Sequence, residues 1–152
     1  MPHIHDKIDF IVSIYIVHDN RVLLILHRGL QRWLPIGGHI ELDENPEEAL
    51  FREVREECGL EVELLGTRPS LESPGNTFLV APAYLDIHDI SPTHRHIGME
   101  YFARAKTDEV RLAKREHSAI RWFTKEELVD PQYHTLPQIR FLAEEALRVA
   151  RD

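Results

Sequence analysis

The chain has 152 residues, 43% of them hydrophobic, 29% charged and 8% aromatic, proportions that suit one compact domain (1–152) and argue against a disordered, fibrous or disulfide-framework chain. Lys and Arg number 18 against 26 Asp and Glu, a formal net charge of -8, so the expected partners do not include nucleic-acid backbones or anionic membranes, and an anionic ligand needs a cation or a local arginine. The single cysteine, Cys58, allows neither an internal disulfide nor a cysteine-based zinc site and fits a reducing, cytoplasmic compartment.

Phe10 to Val17 and Arg21 to Arg28 are rich in Ile, Val and Leu on both alternating faces, and Asp19-Asn20 between them tolerates a tight turn, so they read as paired buried strands. The early apolar run Ile8 to Val17 contains Asp9 and is too short for a bilayer span, and no targeting signal is expected ahead of it. Trp33 to Leu42 is extended and holds Gly37-Gly38; Asn45-Pro46-Glu47-Glu48 then supplies an N-cap, a proline at the first helical position and a carboxylate at the third. The helix that starts there should run to about Cys58 and stop at Gly59.

Further strands are expected at Glu61 to Thr67, Phe78 to Leu85 with Pro82 interrupting, His94 to Ala105 and Ala119 to Phe123, with loops at Pro69 to Thr77 and Asp86 to Thr93. Thr124-Lys125-Glu126-Glu127 has capping-box spacing for a short helix that Pro131 ends, and apolar residues from Leu136 to Val149, Phe141 among them, give the last helix one sheet-facing side. Strands mixed with few helices indicate an α/β sandwich.

Within the first helix, Glu53, Glu56 and Glu57 stand at i, i+3 and i+4 and therefore share one narrow face, beside a core arc of Leu50, Phe51, Val54 and Cys58. Glu48, Arg52 and Glu56 form an i,i+4 ladder along the other side. Like charges so placed repel, and hard carboxylate oxygens without sulfur or a helical histidine suit Mg²⁺ or Mn²⁺ better than zinc. Taken alone, three glutamates on a helix read first as a solvated acidic face.

The surroundings decide between the two. Gly38, Glu44, Arg52-Glu53-Val54, Glu56-Glu57 and Gly59-Leu60 match every fixed position of the 23-residue Nudix box, here GHIELDENPEEALFREVREECGL. The chain therefore resembles the MutT-related Nudix hydrolases. Trp33-Leu34-Pro35-Ile36-Gly37-Gly38 resembles the family's approach strand and Trp122 to Leu128 its late strand-to-helix turn, while Ile36 and Asp43 depart from the commonest residues at positions the box does not fix.

The resemblance implies an α/β/α sandwich with a mixed sheet and a Mg²⁺-dependent hydrolase, Mn²⁺ being a possible substitute, acting on a nucleoside diphosphate derivative or a nucleoside triphosphate. It implies metal-binding roles for Glu53, Glu56 and Glu57 with a backbone carbonyl from Gly37 or Gly38, and catalytic roles for Glu53, Glu57 and Arg52, the arginine orienting glutamates with Glu44 outside them. The general base is either Glu53 or Glu116, six residues before Trp122 in the polar stretch Thr107 to Ser118. Arg28, Arg32, Trp33, His39 and Arg95 are substrate-binding candidates, since arginine grips phosphate and tryptophan stacks on bases; packing or surface roles stand beside this reading.

Glu100 reads as a buried partner or an edge residue. His3-x-His5 and His94-x-His96 each put two imidazoles on one strand face, without a third spaced ligand in sequence, and are read as structural or terminal. Two other readings remain: a nucleotide-sensing module without turnover, and an isoprenyl diphosphate isomerase of Nudix fold, which wants a catalytic cysteine outside the box, whereas Cys58 lies within it. Pro74 and Thr77-Phe78 do not select a substrate, and homodimer formation is left open.

Overall fold

The first strand, β1 (Ile8–His18), is continuously buried from Val12 to Val17 because helices cover both of its faces. Alternation sorts its side chains: Val12, Ile14 and Ile16 join Ala49, Leu50 and Val54 of α1 (Pro46–Glu57), whereas Tyr15 and Val17 join Ile139, Leu142, Ala143 and Ala146 of α3 (Pro137–Val149). The computed structural model, which describes residues 4–151, is accordingly an α/β/α sandwich around an eight-stranded mixed sheet.

The remaining elements are β2 (Arg21–His27), β3 (Arg32–Leu34), β4 (Ile36–His39), β5 (Val62–Leu64), β6 (Tyr84–Ser91), β7 (His94–Ala105), β8 (His117–Phe123), α2 (Lys125–Leu128) and a 3-10 turn at Pro131–Tyr133. β7 runs parallel to β1 from Ile8↔Arg95 to Val17↔Arg104, and β4 lies antiparallel on the other edge of β1, from Ile11↔His39 to Ile14↔Ile36. The turn at Asp19 and Asn20, both at positive φ, joins β1 to β2, yet the two strands pair only at Val17↔Val22 and His18↔Arg21. β2 then continues beside β8 and β3, so the sheet splays where the site is built.

α1 starts as its cap residues dictate. The Asn45 side chain accepts from the Glu48 amide at 3.0 Å, the Glu48 carboxylate accepts from the Asn45 amide at 2.9 Å, and Pro46 opens the first turn. Cys58 caps the other end and Gly59 follows in the left-handed conformation. The second capping box, at Thr124 and Glu127, is likewise formed.

Four details differ from the sequence reading. The stretch Asp86 to Thr93, expected as a loop, is mostly β6, paired antiparallel with β7 from Tyr84↔Glu100 to Ser91↔His94. Its polar Asp86 and His88 are half-buried while Leu85 and Ile87 are 66% and 51% exposed, an inverted polarity that hides the strand. Conversely, of the expected strand Phe78 to Leu85 only its last two residues belong to a strand. Phe51 and Phe141, placed on core faces by periodicity, are 40% and 51% exposed, Phe141 packing its ring edge-on against Tyr84.

Candidate active site

α1 packs against β4, and the closeness of that contact sets the site. A Cβ at Gly38 would overlap the Glu53 carboxylate, and one at Gly37 would overlap the Val12 carbonyl oxygen of β1, so Gly38 gives the carboxylate room against β4 and Gly37 keeps β4 close on β1. Glu53 and Glu57 are consequently buried, at 4% and 3% exposure. The Gly37 amide donates to Glu57 Oε1 at 3.4 Å, and the two carboxyls hydrogen-bond one another. The third box glutamate, Glu56, sits at the rim with its side chain 56% exposed.

Arg52 holds this group from the solvent side. Its guanidinium makes a fork with Glu44, Nε to Oε2 at 3.0 Å and Nη2 to Oε1 at 2.6 Å, while Nη1 donates to Glu53 at 2.9 Å and Glu56 at 3.4 Å. Nη2 also reaches the His39 carbonyl at 3.1 Å, tying the helix to β4. The hydrogen bonds with Glu44 hold the arginine firmly protonated and hold the Glu44 carboxyl below its ordinary range.

One guanidinium shared among three carboxylates does not neutralise the buried pair. Burial, followed by the Glu57 carboxyl beside it, pushes Glu53 up to about 8 against the pull of Arg52. Burial likewise pushes Glu57 up to about 7. The magnitudes explain the choice: leaving an ionised carboxylate buried without compensation costs several kcal/mol, whereas each unit of pKa shift is about 1.4 kcal/mol, so the carboxyls retain a proton unless a cation arrives.

A third segment completes the site. His117 at the start of β8 is 3% exposed and places Nε2 2.7 Å from Glu57 Oε2, so the ring and the carboxyl share one hydrogen bond. Burial lowers the His117 pKa and so favours the uncharged ring. Glu116, 62% exposed, lies 3.9 Å from the same nitrogen, and Glu57, Glu116 and His117 bring one ligand atom each within 4.8 Å of one another. The late-loop glutamate singled out in the sequence thus meets the box helix. His117 was not singled out: it follows a polar run and carries no motif of its own.

Other candidates are placed differently. Arg28 clamps the loop before β8, its guanidinium donating to the carbonyls of Lys114 at 2.7 Å and His117 at 3.3 Å and its amide to that of Glu116 at 3.0 Å, so it positions Glu116. Trp33 packs edge-on against Phe123 with ring centroids 4.9 Å apart and also meets Tyr133, which makes it a packing residue on the α3 side. Arg32 and Arg95 are exposed. His39 and Glu100 are turned away from α1: His39 Nε2 meets Asp9 at 3.2 Å, and Glu100, 4% exposed, sits beside Asp86. His3 lies outside the described residues, while His5 rests edge-on against Phe10.

A sequence profile of the NUDIX domain matches residues 9–144. A hydrolase of the NUDIX family from Clostridium perfringens superposes with a TM-score of 0.82 at 34% identity, over 94% of this chain and 98% of that one. A MutT NUDIX hydrolase from Burkholderia pseudomallei superposes at 0.67 with 23% identity, over 96% of this chain and 100% of that one. An ADP-ribose pyrophosphatase from Streptococcus suis shares the fold at 0.59 with 18% identity, over 94% of both chains. No curated protein matches the sequence significantly.

The raised carboxyls imply a pH dependence of stability. A group whose folded pKa exceeds its unfolded value favours folding while both states hold the proton, and that advantage is lost as pH rises from the ordinary carboxylate range through the folded pKa. Glu53 and Glu57 therefore withdraw stability up to about pH 8, and Glu100, raised by burial and then Asp86 to about 8, acts in the same sense. His96, lowered mainly by burial to about 4, opposes this only below the ordinary histidine range. The metal-free protein should thus unfold at lower urea at pH 8.5 than at pH 6.5, and Glu53→Gln should narrow the gap; equal midpoints in the wild type would contradict the assignment.

Proposed function

The chain belongs to the Nudix hydrolase family, and from that membership we propose that it is a Mg²⁺-dependent enzyme, able to use Mn²⁺, that hydrolyses the pyrophosphate bond of a nucleoside diphosphate derivative or a nucleoside triphosphate. The observation that carries this reading is the buried, mutually hydrogen-bonded pair Glu53 and Glu57 pressed against Gly37 and Gly38. Such a pair is unfavourable as two anions, and its hard oxygen donors fit a hard divalent cation.

Glu53, Glu56 and Glu57, with a carbonyl of Gly37 or Gly38, would hold the ion. When bound, it supplies charge neutralisation for the phosphate oxygens and lowers the pKa of the attacking water. Arg52 keeps Glu53 and Glu56 in orientation, and His117 with the Gly37 amide does the same for Glu57. Glu116 is assigned as the general base, because it approaches from another segment than α1 and in-line displacement needs a proton acceptor on the side of the water. Arg28 positions it by fixing the loop.

The isomerase reading loses support, since Cys58 is 1% exposed, donates its thiol to the Val54 carbonyl at 3.3 Å and is pushed up to about 11, mainly by burial. The buried lone thiol fits a cytoplasmic setting. Among the described residues no helix is long and apolar enough to cross a membrane.

Hydrolysis of at least one member of a panel of nucleoside diphosphate sugars, dinucleoside polyphosphates and nucleoside triphosphates should require Mg²⁺ or Mn²⁺ and stop with EDTA. At saturating metal, Glu53→Gln and Glu57→Gln should each lower kcat by on the order of 10² while circular dichroism stays native; wild-type rates in both would refute the carboxylate assignment. Glu116→Gln should lower kcat with little change in KM and remove the acidic limb of the pH–rate profile. An unaltered limb transfers the base role to Glu53.

A further inference from the structure

On the face of the sheet turned away from α1, the ends of three strands carry a second set of ligand-type side chains that hydrolysis does not use. Alternation puts them there. Along β4, Gly38 abuts Glu53 and the next residue, His39, projects to the opposite face. On β1, Asp9 shares the face of Tyr15 and Val17, and on β7, His94 and His96 share that of Phe102. The buried side chains of α3 cover this face around Tyr15, Val17 and Phe102, which leaves the end at Asp9 to polar groups.

Those groups converge tightly and inside the protein. Asp9, His94 and His96 are 1%, 5% and 8% exposed, and one ligand atom of each lies within 4.8 Å of the others. Asp9 Oδ2 is 3.3 Å from His94 Nε2 and 3.2 Å from His39 Nε2. The His96 ring stands edge-on to both neighbours, 4.9 Å from His39 at 83° and 5.2 Å from His94 at 89°.

A further contact specifies what these atoms face. His94 Nδ1 lies 3.1 Å from the Asp6 carbonyl, which accepts its N–H and turns the Nε2 edge of the ring toward the Asp9 carboxylate. A nitrogen and a carboxylate oxygen 3.3 Å apart are spaced to share a proton or a cation between them. Several imidazoles around one carboxylate are nitrogen-rich, borderline donors, unlike the hard oxygens on α1.

We propose that Asp9, His94 and His96, with His39 as the adjoining fourth donor, form a second cation site for Zn²⁺ or a similar borderline divalent ion, which clamps β1, β4 and β7 on the face opposite the hydrolytic carboxylates. The clamp communicates with the hydrolytic face through β4, because the His39 carbonyl is also held by Arg52. It does not depend on the hydrolase reading, as none of its side chains comes from α1.

The test uses the full chain stripped of metal with a chelator and titrated with Co²⁺ as a visible probe and with Zn²⁺. The Glu53→Gln, Glu57→Gln double variant should keep saturable Co²⁺ binding with the absorption of a four-coordinate nitrogen and oxygen site, Zn²⁺ should displace the Co²⁺, and Zn²⁺ should raise Tm. His94→Gln with His96→Gln should weaken binding at least tenfold and abolish the Tm shift; should that variant fail to fold, Asp9→Asn and His39→Gln carry the same expectation. No saturable binding in the double glutamate variant, the mark of a plain imidazolium–carboxylate contact, would overturn the proposal. So would binding that survives all four substitutions, or that vanishes with His3→Gln and His5→Gln instead.

Discussion

Two carboxyls on neighbouring turns of one helix, both withdrawn from water, cannot be ionised together without a positive charge between them. Glu53 and Glu57 of α1 stand in that position, and much of the surrounding structure accommodates them. Gly38 in β4 leaves out the Cβ that would meet the Glu53 carboxylate, and Gly37 leaves out one that would meet the β1 backbone at Val12. Arg52 offers Glu53 a single hydrogen bond because its fork is engaged by Glu44. His117 meets Glu57 through one hydrogen bond, and burial favours its uncharged ring, so it orients the carboxyl without supplying the missing positive charge. The remaining electrostatic deficit is the physical reason behind the cation binding proposed for this helix face.

The sheet supplies the precision. Parallel pairing of β1 with β7 and antiparallel pairing with β4 bury β1 between two strands, so the backbone that faces α1 is held on both edges. Four-residue β4 then presents different chemistry on its two sides: backbone and no side chain toward the carboxylates at Gly38, and an imidazole toward Asp9 at His39. The splay between β1 and β2 brings β8 within reach of α1, which is how a loop distant in sequence delivers Glu116 and His117.

Local signals made α1 and its glutamate face legible in the sequence: cap residues, helical spacing and a terminal glycine act within a few residues of one another. The two-sided burial of β1 was legible for the same reason, through its run from Phe10 to Val17, apolar on both alternating faces apart from Ser13. What escaped depends on partners far along the chain. β6 was hidden because Asp86 and His88 turn toward other polar strands while Leu85 and Ile87 stay exposed, so hydrophobic alternation points the wrong way. Trp33 and Arg28 stand out in the sequence as ligand-binding types, and only tertiary register shows Trp33 packed on Phe123 and Arg28 holding the carbonyls of Lys114 and His117. His94-x-His96 gained a meaning when β1 and β4 brought Asp9 and His39 beside it.

In the proposed function, the α1 carboxyls hold a proton that a divalent cation replaces. Calorimetric titration of the metal-free protein with Mg²⁺ at pH 7.5, in two buffers of different ionisation enthalpy, counts that proton directly. The wild type should release protons on binding, and Glu53→Gln should release fewer and bind more weakly. Mg²⁺ binding with no proton release, or with a release that Glu53→Gln leaves unchanged, would mean that the carboxyl pair holds no such proton.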